Sequence, residues 1–177
     1  MQAALQAARA AHRAKQDAAP DGQPSSRRAA PPGPAQLSRM AARCPGDLAG
    51  LRDRALLLLA AAGLDREALL RLDRDGVRLT DAGVELVLPS PAGGDLGEAA
   101  PTQAVALRRA AAVLACPVRA LDAWIRGAGL RFGPVFCKVD RWSNVEHGRL
   151  GAAALRGIWR HRAAPARRGH RQSDAGG

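Results

Sequence analysis

Leu51 to Leu72, LRDRALLLLAAAGLDREALLRL, is the longest apolar run in the chain and predicts a buried helix pair. Leu56, Leu57, Leu58 and Leu59, followed by three alanines, are apolar around most of a helix, which suits a segment inside a bundle rather than on its surface. Asp47 is placed to cap this helix, Arg52 and Arg54 flank Asp53 on what read as exposed first turns, and Gly63 supplies the stop. A second amphipathic helix follows. It sets Leu64, Ala68, Leu69 and Leu72 on one side and Arg66, Glu67, Arg71 and Arg74 on the other.

At 177 residues and 47% hydrophobic content the chain suits one domain of ordinary size. Its net charge of +11 is concentrated at the ends. Seven basic and two acidic residues precede Asp47, thirteen of each lie from Asp47 to Gly148, and seven and one follow. Only Lys15 and Lys138 among the 27 basic residues are lysines. That arginine excess suits bidentate phosphate contact, and it equally suits a GC-rich coding sequence. Cys44, Cys116 and Cys137 are odd in number and share no metal-ligand spacing, so buried free thiols are expected rather than a disulfide framework or a zinc site. No stretch reads as a signal peptide or a membrane span, and the expectation is a soluble cytoplasmic protein with no membrane partner.

In chain order, residues 1–17 are alanine-rich with a helix-compatible charge spacing but one large apolar anchor, Leu5, and residues 18–34 turn to Pro, Gly, Ser and Arg. Residues 1–33 therefore read as a flexible basic segment and linker, with the folded domain spanning 34–163 and a disordered basic tail over 164–177. Pro34 can open a helix carrying Leu37, Met40 and Ala41 on one face before Pro45 and Gly46. After the central helices the period changes to two. Val77, Leu79, a turn at 80–83, then Val84, Leu86 and Leu88 make a hairpin. Residues 89–101 read as a Gly/Pro loop, and Gln103 to Leu107 return as a third strand. Pro117 opens a helix through Val118, Leu121, Trp124 and Ile125, Val135 and Phe136 read as a brief buried extended piece, and Leu150 to His161 forms a last helix. The fold class expected is α+β, mainly helical, with helices around a small three-stranded antiparallel sheet and disordered termini.

Among chemistry-bearing motifs there is no Gly-rich phosphate loop, HExxH, GxSxG or Cys-x-x-Cys, and His12, His147, His161 and His170 lie apart along the chain. Tyrosine is absent from these 177 residues. Asp73 and Asp75, beside Arg71 and Arg74, suit surface ion pairs or caps. Trp142, between Arg141 and Ser143, suits a ring packed against the domain surface, with stacking on a base as the alternative. No metal, cofactor or small-molecule substrate is implied.

The succession DLAGLRDRALLLLAAAGL, EALLRLDRDGVRL, a hairpin, AVALRR, CPVRALDAWIRGAG, GPVFCKVDRWSNV and GRLGAAALRGIWRHRA resembles the first half of the catalytic domain of the tyrosine recombinase (phage integrase) family. The resemblance covers roughly Pro34 to Ala163. It implies helices packed about a three-stranded sheet and a domain that clamps duplex DNA. In that family arginines hold the scissile phosphate, a lysine protonates the leaving oxygen, and a tyrosine attacks phosphorus. Against the pattern G-x-R-x-S-E-L, Gly63 to Leu69 places Asp65 at the catalytic arginine and Ala68 at the glutamate. An aspartate there repels a phosphodiester, and Arg66 lies about 100° further around a helix. Residues 89–101 hold no lysine, and beyond Gly169-His170 Ser173 stands where the family's second box has arginine.

The expectation is thus a truncated, degenerate member with no catalytic residues. Three readings stay open: a DNA-binding remnant, a module docking on an intact recombinase, and a non-functional pseudogene product. The resemblance turns the end of the central helix and the last helix toward DNA. Duplex contacts are accordingly assigned to Arg66, Arg71, Arg141, Arg156, Arg160, His161 and Arg162.

Overall fold

A computed structural model of the protein describes residues 32–89 and 102–164. The expected flexible segments and the 89–101 loop lie outside the described residues, apart from 32–33, Pro89 and Ala164. Within the described residues the chain is α+β and mainly helical, with five α-helices, a three-stranded sheet and a two-stranded sheet.

Helix α1 (Pro34–Ala42) begins at its proline and buries Leu37, Met40 and Ala41, the face its spacing predicts. Helix α2 (Leu48–Ala61) is the centre of the fold, with Ala55 to Leu59 buried in succession. Asp47 caps it, its Oδ1 accepting from the Gly50 N–H at 2.7 Å. At the other end Gly63 takes φ +104°, which lets its N–H reach Ala60 O and the Leu64 N–H reach Leu59 O, both at 3.1 Å. These bonds satisfy carbonyls that the last turn leaves open.

The first turns of α2 differ from expectation. Arg52 and Asp53 are buried, 7% and 2% exposed, and Arg54 is half-buried. The first turns of α2 pack against neighbouring elements, so the buried charges there are retained by pairing rather than by solvent. Arg52 donates from Nε and Nη2 to Asp53 Oδ1 at 3.0 and 2.7 Å, and from Nη1 to Cys137 O at 3.3 Å. Arg54 donates to Ala41 O at 3.2 Å and Cys44 O at 3.0 Å, tying α2 to the end of α1 and the residues after it.

Gly50 is needed for close approach: a Cβ there would collide with the Pro45 carbonyl. Glycine to alanine inside a helix ordinarily stabilises by about 0.5–1 kcal/mol. Here Gly50→Ala should reverse the sign and cost about 1–3 kcal/mol. A thermal midpoint at or above the parent's would refute this.

Helix α3 (Arg66–Arg71) is shorter than its amphipathic pattern suggests, with Leu64, Leu69 and Leu72 buried and Arg66 and Glu67 exposed. The sheet β1 (Val77–Leu79), β2 (Gly83–Pro89) and β3 (Thr102–Arg108) is antiparallel in that order, pairing Val77 with Leu86, Leu79 with Val84 and Leu86 with Val105. Val84, Leu86 and Leu88 face the core, while Arg78, Glu85 and Val87 are exposed. Helix α4 (Pro117–Gly127) packs on α2 and buries Val118, Leu121, Trp124 and Ile125. The Trp124 indole donates to Val135 O at 2.8 Å and so holds the strand entry beside the helix.

Val135 and Phe136 are buried as expected, and a strand follows at once. β4 (Cys137–Val139) and β5 (Val145–Arg149) form a second, antiparallel hairpin, pairing Cys137 with Arg149 and Val139 with Val145. The last helix, α5 (Ala152–Ala163), starts two residues later than expected and buries Leu155 fully. Ile158 and Trp159 are half-buried and packed against the core. The Trp159 indole N–H is buried without a hydrogen-bond partner among the described residues.

Candidate nucleic-acid interface

The seven assigned residues fall on three elements. On α5, Arg156 and Arg160 are one helical turn apart and both exposed, with His161 exposed beside them. Neither arginine has an ion-pair partner among the described residues. The basic last turn also suits the negative end of the helix dipole. Arg162 departs from its exposed assignment: its side chain is only 16% exposed. Its guanidinium lies on Asp53 Oδ2, with Nε at 2.8 Å and Nη2 at 2.7 Å. Asp53 therefore serves two arginines, Arg52 from its own helix and Arg162 from α5. Arg162 fastens the helix rather than offering a free cation.

On α3, Arg66 is exposed in the first turn, and Arg71 pairs with Glu67 at 2.6 Å. Asp65, which the family pattern sets at the catalytic arginine, caps this helix through Oδ1, accepting from the Ala68 N–H at 2.7 Å. Its carboxylate thus has a structural use independent of any phosphate. Arg149, not singled out by sequence, ties the end of β5 to α3 and the residues just after it. It donates to Leu70 O at 2.7 Å and pairs with Asp73 at 2.6 Å, while the Leu150 N–H reaches Phe136 O at 2.8 Å. Asp73 is thereby the surface ion pair its setting implied.

The third element is the tip of the β4–β5 hairpin. Trp142 is 68% exposed, so the ring is not packed against the domain surface. Arg141 lies over it, its Cζ 4.0 Å from the ring centroid. Asp140 organises the turn. Its Oδ1 accepts from the Trp142 and Asn144 N–H groups and its Oδ2 from the Asn144 amide, all at 2.8 Å. Those bonds, the Asn144 side chain foremost, hold the Asp140 carboxyl below its ordinary value. The sequence signal for this turn was available in Asp140 and Asn144, but only the backbone shows which way Trp142 points.

Cys44, Cys116 and Cys137 are free and buried, and burial pushes the Cys44 and Cys137 thiols up. Burial works on Cys116 too, but the N–H groups of Arg119, Ala110 and Val118 outweigh it and hold that thiol below its ordinary value. Among the described residues no group of three or more His, Cys, Asp or Glu could hold a metal ion, and no helix is long and apolar enough to cross a membrane. A groove of about 360 Å³ between α2, α4 and residues 109–114 is bordered by Arg54, Arg109, Arg119 and Arg126 with Val113 and Leu114.

No family model matches the chain. It is similar to the integrase/recombinase xerD homolog of Selenomonas ruminantium, with 31% identity over 104 residues. The match covers 58% of this chain and 30% of that protein, so the chain spans less than a third of the relative's length.

Proposed function

We propose that the chain is an integrase/recombinase-like protein that binds duplex DNA and does not cut or join it. The observation that carries the binding half is the α5 face, where Arg156 and Arg160 stand one turn apart, exposed and free of acidic partners among the described residues. That spacing suits successive contacts along one phosphate backbone, with His161 beside them and Arg66 and Arg71 adding to them from α3. Similarity to an integrase/recombinase supports DNA as the ligand. The loss of catalysis rests on Asp65, a carboxylate where the tyrosine recombinase pattern has an arginine, and one committed to capping α3.

The test is duplex affinity as a function of salt for the full chain and for the triple variant Arg66→Ala, Arg156→Ala, Arg160→Ala. The parent should bind with a steep negative salt slope, and the variant should bind more weakly with a slope shallower by about 2–3. Equal affinity and equal slope in the two proteins would overturn the assigned face. For the catalytic half, nicked duplex should yield no protein–DNA band that survives denaturation.

A further inference from the structure

The geometry points to a nucleobase-stacking site at the tip of the β4–β5 hairpin, in which Trp142 takes an unpaired base of single-stranded DNA. Three observations meet there. The indole is 68% exposed although it sits on an ordered turn, so a large apolar surface is held in water. The turn is fixed in advance: besides the three bonds to the Asp140 carboxylate, the Asp140 N–H reaches Asn144 O at 3.0 Å and the Ser143 N–H reaches Asp140 O at 3.2 Å. Ser143 accepts a left-handed φ of +67° to make this shape. Finally, the Arg141 guanidinium lies over the ring, placing a cation next to the aromatic surface.

A fixed aromatic platform with a cation beside it matches one nucleotide of a flexible strand, the base on the ring and the phosphate near the arginine. Duplex DNA does not present such a base, because each is stacked between its neighbours. The ligand class is therefore unpaired DNA, as a single strand, a gap or a flipped position. A rigid turn also spares the ligand the cost of ordering the site. The inference rests on the DNA-binding reading above only in taking DNA as the ligand, since it uses a different element from the α5 face.

The test uses intrinsic fluorescence of the full chain. Of its three tryptophans, Trp124 is fully buried and Trp159 half-buried, so a base stacking on protein should quench Trp142. Titration with a short oligothymidylate should give saturable quenching. Trp142→Ala should abolish that quenching and weaken oligothymidylate binding roughly 5- to 150-fold. Trp142→Phe should retain most of the affinity, and duplex affinity should be unchanged in both variants. Loss of duplex and single-strand binding in equal measure would overturn the base-stacking assignment, as would oligothymidylate affinity indifferent to Trp142→Ala. Duplex binding without a Trp142-dependent single-strand signal sinks this site and leaves the α5 reading standing. The converse result sinks the α5 reading and leaves this site.

Discussion

Asp53→Ala should destabilise the fold by about 3–5 kcal/mol, a loss large enough to leave a domain of this size close to unfolding. The carboxylate is 2% exposed and joins Arg52 and Arg162, so its removal strands one buried guanidinium and one largely buried one. The cost is the penalty of unpaired buried charge, not the net worth of an ion pair. Denaturant titration should show a lower midpoint with an unchanged slope. A shift of less than about 1 kcal/mol would mean that the cluster behaves as an exposed pair does. Arg162→Ala should cost less, because Arg52 still neutralises Asp53 and donates to it twice.

Trp124→Ala should cost about 3–5 kcal/mol, the usual range for emptying a large aromatic site. Trp124 is fully buried between α4 and the entry to β4, and its indole N–H is bonded to Val135 O. Trp124→Phe separates the two contributions. It keeps most of the ring but leaves Val135 O without that donor, for which about 1–3 kcal/mol is expected. Similar stability of the phenylalanine variant and the parent would show that the hydrogen bond contributes little.

The elements with local punctuation were legible in the sequence. Pro34 and Pro117 open helices, Asp47 caps one and Gly63 ends it, and the alternation from Val77 to Leu88 yields the hairpin and its buried face. The second hairpin was not legible because Val145 to Arg149, VEHGR, is mostly exposed and lacks alternating apolar residues. Arg52 and Asp53 read as exposed because nothing nearby in the chain announces the distant groups that join them. Arg162 is 109 residues from Asp53 and Cys137 is 85 from Arg52. The same long-range pairing removes Arg162 from the proposed DNA face, while Arg156 and Arg160, with no such partners among the described residues, stay exposed where helical spacing sets them.

The way α5 is held has a dynamic consequence. It contributes one fully buried side chain, Leu155, where α2 buries five consecutive residues, and among the described residues it is held further by the Arg162–Asp53 pair and by half-buried Ala154, Ile158 and Trp159. An element so attached opens at a lower free energy than the core, so its amides exchange with solvent through partial rather than global unfolding. The helix that carries Arg156 and Arg160 is thus the cooperative unit whose closing a bound strand would reinforce, and occupancy would be recorded as slower exchange along α5.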